Sequence, residues 1–471
     1  MGSDHLTLWG GRFENGPAPE LLRINHSLSV DWRLWPHEIE VDQAWVEALH
    51  AAGHLTAGEA RDLQVGLRAV ADRLATGSPQ NEPDEDVHTL IERWLTAEVG
   101  DLASQLRLGR SRNDVVATDT RMWTREALKR TDLEVRAVQK ALIEAAEAAI
   151  DIHFPAYSHL QRAQPTRAAV WLLSHFWPLQ RSRDRVWDAH DRANQMPLGS
   201  GAGMGSSVPV DRGMLAESLG FAVVLENSLD AVQSRDWVSE ALFVWAQMAV
   251  DLSRLAEDLI VYSTREFGLI KLGERFTTGS SLMPQKRNPD GAELTRAAGA
   301  KLIGLLTGVM SALKGLPSGY NKDLQEDKTA LFEAEGRVSQ CLQVIRGTVE
   351  TLEFDVERCH ECLDTSTLAT DVADYLVETG LRFSDAHRLT GELVRYSEDK
   401  GVDLSEVSSD ERRSIHPALE ELPPGLWNVD LALERRSTRA GSSRDAVEEQ
   451  ISVARRATAG EPSQTGIPGV A

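Results

Sequence analysis

The sequence predicts a mainly helical chain organised around long helices. Three observations lead there. Apolar residues recur at alternating spacings of three and four, at Val135, Val138, Leu142, Ala145 and Ala149 and again at Ala241, Trp245, Met248, Leu252, Leu255 and Leu259. Such a seam is the kind that packs helix bundles. Residues 113–151 contain neither proline nor glycine, and as one helix they run roughly 60 Å at about 1.5 Å per residue. Clear runs of period two, the mark of half-buried strands, are scarce.

In chain order, residues 1–108 read as an N-terminal domain of shorter helices. Residues 109–358 form the central long-helix bundle: the 113–151 helix, a second over 166–195, and a third after Trp237. Between the last two lies Pro197-Leu198-Gly199-Ser200-Gly201-Ala202-Gly203-Met204-Gly205. No β-run precedes this cluster, no Gly-Lys-Ser/Thr follows it, and its spacing misses the dinucleotide fingerprint. It reads as a flexible connection whose backbone can approach a ligand. Residues 268–291 are helix-poor and sit between long helices. Residues 359–471 hold shorter helices and end in a Gly/Pro/Ser-containing tail, 457–471, expected to be disordered. No internal repeat is visible.

The 471 residues suffice for two or three domains, and 42% apolar with 26% charged is an ordinary globular balance. A net charge of −22 argues against a broad surface for nucleic acid or anionic lipid. It leaves room for a small anion in a cleft lined by a few cations. No run approaches 18 consecutive apolar residues, so no membrane span is expected. Residues 1–5 lack the basic and apolar regions of a signal peptide, which makes the cytoplasm the expected location. Cys359 and Cys362 form a lone C-x-x-C without the second half of a zinc site. Their neighbours suggest a helix end and a structural role. No metal and no cofactor is expected.

The most informative stretch is Gly279-Ser280-Ser281-Leu282-Met283-Pro284-Gln285-Lys286-Arg287-Asn288-Pro289-Asp290. It is a long polar loop between helices, with two hydroxyls, a lysine and an asparagine, and loops of this kind are either functional or solvated connectors. The stretch resembles the signature loop of the fumarase/aspartase superfamily. Further segments resemble the argininosuccinate lyase branch: Leu8-Trp9-Gly10-Gly11-Arg12-Phe13, Gly109-Arg110-Ser111-Arg112-Asn113-Asp114, Ser158-His159-Leu160-Gln161-Arg162-Ala163-Gln164-Pro165 and Asn227-Ser228-Leu229-Asp230-Ala231-Val232. Residues 320–328 (Tyr-Asn-Lys-Asp-Leu-Gln-Glu-Asp-Lys) and 369–376 (Ala-Thr-Asp-Val-Ala-Asp-Tyr-Leu) complete the set, in the family's order.

The resemblance implies a three-domain, fumarase/aspartase-like subunit, assembly into a homotetramer through the long helices, and active sites shared between subunits. It implies a carbon–nitrogen lyase that removes a proton from Cβ of an N-substituted aspartate, expels nitrogen from Cα and releases fumarate. Such chemistry needs a base, donors for the developing dianion and an acid for the leaving nitrogen. By resemblance Ser280 is the base. Lys286 and the loop's backbone N–H groups are candidates to stabilise its alkoxide, and Lys286 and Asn288 to bind the adjacent carboxylate. His159 and Glu293 match a proton-handling pair. Ser111, Arg112, Asn113 and Ser158 match positions that bind the succinyl carboxylates, and Ser281 and Met283 match substrate-binding positions. Ser27, Asp31, Asp84, His88, Arg235, Tyr320, Gln325 and Lys328 match the end that holds the leaving group.

The chain departs from the branch at several places. Arg107-Leu108 stands where His-Thr is usual, Gln233-Ser234 where Ser-Asp is usual, Ser158 where threonine is usual, and Gly319 where alanine is common; Gly291 follows Asp290. Loss of a carboxylate next to Arg235 is expected to leave that arginine free to favour an anionic leaving group. This makes an aminopolycarboxylate lyase, such as one cleaving ethylenediamine-disuccinate, the rival to argininosuccinate cleavage. A non-catalytic crystallin-like protein is the remote alternative, disfavoured because Ser280, Lys286, Asn288, His159 and Glu293 are all present.

Overall fold

A computed structural model of the protein describes residues 16–77 and 82–460; the motif at residues 8–13 lies outside them. Helices dominate. The principal elements are α1 (Trp35–Ala51), α2 (Ala57–Leu74), α3 (Val87–Val99), α4 (Arg112–Ala148), a hairpin of β1 (His153–Ser158) and β2 (Gln161–Arg167), then α5 (Ala168–Ala193), α6 (Asp236–Tyr262), α7 (Asp290–Leu313) and α8 (Asp327–Thr351). The expected 113–151 helix is α4, at 37 residues. The second and third expected helices are α5 and α6.

The chain forms two compact units, each drawn from three separate stretches. Of the described residues, the first takes those up to 132, 185–246 and 301–337; the second takes 133–184, 247–300 and 338–460. Helices α4 to α8 each give residues to both units, so this partition cuts across the linear domain order.

In the first unit, local chemistry sets the helix starts. Thr56 and Glu59 form a reciprocal capping box at α2, and the Asp86 carboxylate caps α3 by accepting the Thr89 N–H. Helices α2 and α3 approach closely at Gly66, where a Cβ would come within 2.7 Å of Val99 and 2.8 Å of Leu95. Trp45, Leu49, Leu63, Leu67, Leu90 and Leu95 are buried there.

In the second unit, β1 and β2 pair antiparallel, with Ser158 opposite Gln161. His159 and Leu160 make the two-residue turn, at φ 54° and 57°. Phe154 of β1 stacks on Trp171 at 5.6 Å, with Tyr262 and Phe354 edge-on. Residues 268–291 lack α-helix up to the start of α7, as expected, and contain short paired strands, among them Thr278–Gly279 against Arg287–Asn288. The seam residues Met248, Leu252, Leu255 and Leu259 of α6 are all buried. Farther on, Leu376, Leu389, Leu393, Leu404 and Leu419 form a separate apolar cluster.

Cys359 lies in a short helix (Val356–Glu361) and Cys362 caps its end, as the sequence suggested. Both thiols are buried and unbridged, and burial pushes Cys359 up to about 12, which makes it unreactive.

One expectation is corrected. Residues 457–459 are not tail but the last turn of a helix (Arg444–Ala459); residues 461–471 lie outside the described residues. By length and composition alone, α7 is long and apolar enough to cross a membrane, although Thr295, Arg296, Lys301 and Thr307 interrupt its apolar run.

Candidate active site

The first unit gathers most of the expected binding residues around the N-termini of α3 and α4. Arg112, the first residue of α4, donates to Asp86 Oδ2 (2.9 Å) and to Thr89 Oγ1 (3.1 Å). The carboxylate that caps α3 therefore also aims the arginine, and two helix N-termini converge where an anion is favoured. Burial works against ionisation of Asp86, but the His88 and Arg112 charges hold it below its ordinary range. Ser111 and Asn113 are half-buried beside Arg112.

This start of α4 is anchored by Asp114. Its Oδ1 accepts the Ser111 N–H (2.9 Å), and its Oδ2 accepts the N–H groups of Gly199 (3.0 Å) and Gly201 (2.8 Å). Both glycines have positive φ, 85° and 56°. The glycine cluster is thus an anion nest, and its anion is a side chain of the protein itself. Arg212 secures the same turn by donating to Leu198 O at 2.8 Å and to Ser200 Oγ at 3.2 Å.

Ser27 donates to Asp31 Oδ2 at 2.5 Å, and Asp31 Oδ1 accepts the Val87 N–H at 3.0 Å. Gln325 reaches back to the Asn25 carbonyl at 3.3 Å. Burial, and then the charge of Asp86, raise the Asp31 carboxyl. Tyr320 is half-buried; burial raises its phenol, and the charges of Arg235, Asp327, Asp86 and Arg112 act on it. It therefore stays a hydroxyl donor, set among both arginines.

The free positive charge expected at Arg235 is absent. Its Nε donates to Asp327 Oδ2 at 2.5 Å, and the other oxygen of Asp327 accepts from Lys328 at 3.0 Å. Ser234 instead places its hydroxyl on Arg121 (3.3 Å). Asp84, also expected in the leaving-group end, is fully buried and committed to Arg93 through two hydrogen bonds of 3.0 and 2.7 Å. Leu108 is 37% exposed, and its backbone carbonyl accepts from the Trp45 indole at 3.2 Å.

Behind these residues lies a buried charge cluster that the sequence did not announce. His88 Nδ1 pairs with Glu38 Oε2 at 2.8 Å, and Arg110 with Asp42 at 2.5 Å. Burial would raise the Glu38 carboxyl, but the His88 charge and hydrogen bond bring it down to about 2. Burial pushes Asp42 up to about 7 against the pull of Arg110. Burial and the Glu38 charge push Asp119 well above the carboxylate range. The ligand atoms of Glu38, His88 and Asp119 lie within 4.8 Å of one another. The raised His88 and Arg110 supply the positive charge at this point, and no metal is assigned to it.

The second unit carries the signature loop and the hairpin. Ser280 Oγ accepts the backbone N–H groups of Leu282 (3.2 Å) and Met283 (3.0 Å). The Lys286 N–H closes the loop onto the Met283 carbonyl at 3.1 Å. Asn288 is paired in the strand opposite Thr278. Ser281, Met283 and Lys286 are exposed, as are Ser158 and His159 at the hairpin tip. His159 and Glu293 form no hydrogen bond or ion pair with each other among the described residues. Glu293 sits on the first turn of α7, 4.0 Å from Arg296.

Residues 11–304 match the family model described as Lyase, and residues 366–433 the model described as Argininosuccinate lyase C-terminal. The argininosuccinate lyase of Roseiflexus castenholzii is 46% identical over 95% of this chain and 99% of its own length. That of Mycolicibacterium smegmatis is 44% identical over 97% and 98%. The chain belongs to the argininosuccinate lyase family. Among solved structures, EDDS lyase in complex with formate superposes with a TM-score of 0.82 at 25% identity, covering 94% of this chain and 90% of that one. The family carries the carbon–nitrogen lyase activity that releases fumarate, and the mainly α fold is that of the fumarase/aspartase superfamily.

Several supporting residues had no role assigned from the sequence: Glu38, Asp42, Asp86, Asp114, Asp119 and Asp327, although Asp114 and Asp327 stand inside two of its motifs. Two had a readable signal. Asp86-x-x-Thr89 is a helix N-cap pattern, and Ser111-x-x-Asp114 is a capping box ahead of an apolar run.

Proposed function

We propose that the protein cleaves argininosuccinate to arginine and fumarate. The observation that carries this is full-length kinship, at 44–46% identity, with proteins named argininosuccinate lyase. The geometry supports it. Ser280 is the base, and the Leu282 and Met283 N–H groups already aimed at its Oγ lower the cost of its alkoxide. The alkoxide removes the Cβ proton, electron density moves onto the neighbouring carboxylate, and donors from Lys286 and Asn288 meet the developing charge. The Cα–N bond then breaks and nitrogen leaves with a proton. Arg112, Ser111 and Asn113 bind a succinyl carboxylate, with Ser158, Ser281 and Met283 closing over that end. Asp31, Ser27, His88, Tyr320, Gln325 and Lys328 face the arginine portion, where acidic groups suit a guanidinium.

Assembly completes the site. On α7, Leu294 is 65% exposed, Ile303 48% and Met310 55%. Ile303 and Met310, seven residues apart, lie on one face of this long helix and Leu294 on the opposite one, and exposed apolar side chains on both faces suit a helix packed between partners. The occupant is a second copy of the chain, as in the homotetramer the family resemblance implies, and His159 and Glu293 then meet across subunits. The divisions at residues 108 and 358 describe the arms and the bundle of that assembly.

The leaving group is tested by a panel. Argininosuccinate should release fumarate with kcat/KM at least about 100-fold above ethylenediamine-disuccinate, a difference of roughly 3 kcal/mol. The reverse order would overturn the reading.

A further inference from the structure

Tyr320 stands in a turn held by side-chain hydrogen bonds. Gly319, immediately before it, has φ +96°, a backbone conformation that costs a side-chain-bearing residue about 1–2 kcal/mol. On one side of the turn lies a cavity of about 440 Å³, bounded by Gln233, Arg235, Leu316, Gly319 and Leu324 among others. Packing therefore does not fix the turn from that side; hydrogen bonds from side chains do. Asn321 Nδ2 donates to the carbonyls of Pro317 and Gly319, each at 3.1 Å. The Gly319 N–H donates to Gln233 Oε1 at 2.5 Å.

Gln233 is the last residue of a short helix (Ser228–Gln233) whose start is capped by Asn227. Two residues on, Arg235 grips Asp327 at the start of α8. One helix end thus holds both the Tyr320 turn, through Gln233, and the Asp327–Lys328 corner, through Arg235.

We propose that Gln233 is a positioning residue that sets the Tyr320 hydroxyl at the leaving-group end of the site through the Gly319 N–H. The inference rests on Tyr320 as a leaving-group contact in argininosuccinate cleavage. Gln233→Leu keeps much of the volume but removes the acceptor; Gln233→Glu keeps an acceptor.

Steady-state kinetics of the full-length protein on argininosuccinate test it. Gln233→Leu should raise KM about tenfold, the effect of one lost buried hydrogen bond, with kcat within about twofold of wild type. Gln233→Glu should recover most of that loss. Gln233→Met, which also removes the acceptor, should raise KM in the same way and stands in if the leucine variant does not fold. In a Tyr320→Phe background, Gln233→Leu should add little. Wild-type KM in the leucine and methionine variants, or losses that simply add to those of Tyr320→Phe, overturn the assignment to Gln233. A wild type that releases no fumarate from argininosuccinate overturns the functional reading and the inference together.

Discussion

Ser234 precedes Arg235, yet its hydroxyl serves a different arginine. Arg121 is buried, stacks over Trp237 at 4.7 Å and donates to the carbonyls that end α5. Burial lowers its guanidinium to about 9. It is a buried cation whose direct partner at position 234 is neutral, so Ser234→Asp should stabilise the fold by about 1 kcal/mol in denaturant unfolding. It should leave the preference between argininosuccinate and ethylenediamine-disuccinate unchanged. A shifted preference would return position 234 to the leaving-group site. Asp114 gives a pH prediction. Burial raises its carboxyl to about 6, against its three backbone N–H bonds and the charge of Arg110. Folding therefore favours its protonated form. Its contribution to stability is fully present below the unfolded value of ~3.9 and is lost as pH rises through about 6. The three N–H bonds to the turn favour the carboxylate, so kcat/KM should fall on acidification through about pH 6 while stability does not fall from this group. An acid limb near pH 6 that persists in Asp114→Asn would assign that limb elsewhere.

The β1–β2 hairpin shows at the scale of an element why some of the fold was legible and some was not. The seam from Ala241 to Leu259 announced α6 because a 3–4 alternation marks one buried face of a helix whatever partners that face meets. The hairpin wrote no such pattern. Its strands carry Pro155 and Pro165, each tolerated because a two-stranded ribbon has only edges, and a register irregularity falls between Pro155 and Tyr157. Burial along β2 runs from exposed to buried instead of alternating. His159 was found by motif, and its place at a turn tip was not. Two adjacent non-glycine residues at positive φ are costly, and Leu160 is 68% exposed with little packing in return. Leu160→Gly should raise stability by about 1 kcal/mol in chemical unfolding; a loss of stability would mean that the leucine is buried in the assembled protein. The residues of the candidate site were legible through motifs, but their partners were not. Asp86, Asp114 and Asp327 act by contacts across 26, 85 and 92 positions of sequence, and no local pattern records such distances.

For the whole molecule, we propose one explanation for the exposed apolar side chains of α7 and for the lack of a His159–Glu293 contact among the described residues: a site finished by other copies. Ile303→Glu with Met310→Glu should yield smaller assemblies in light scattering and lose activity in step. Ser280→Ala and His159→Asn, each inactive alone, should partly complement when dissociated and reassembled together, since mixed assemblies contain some sites with neither lesion. A fully active monomer would refute shared sites. The central claim, that Ser280 starts an elimination on argininosuccinate, is tested most directly by product analysis of wild type and Ser280→Ala side by side. Wild type should convert argininosuccinate to equimolar arginine and fumarate, and Ser280→Ala, folded and assembled alike, should do so on the order of 10³-fold more slowly. Equal rates from the two proteins, or no fumarate from wild type, would contradict it.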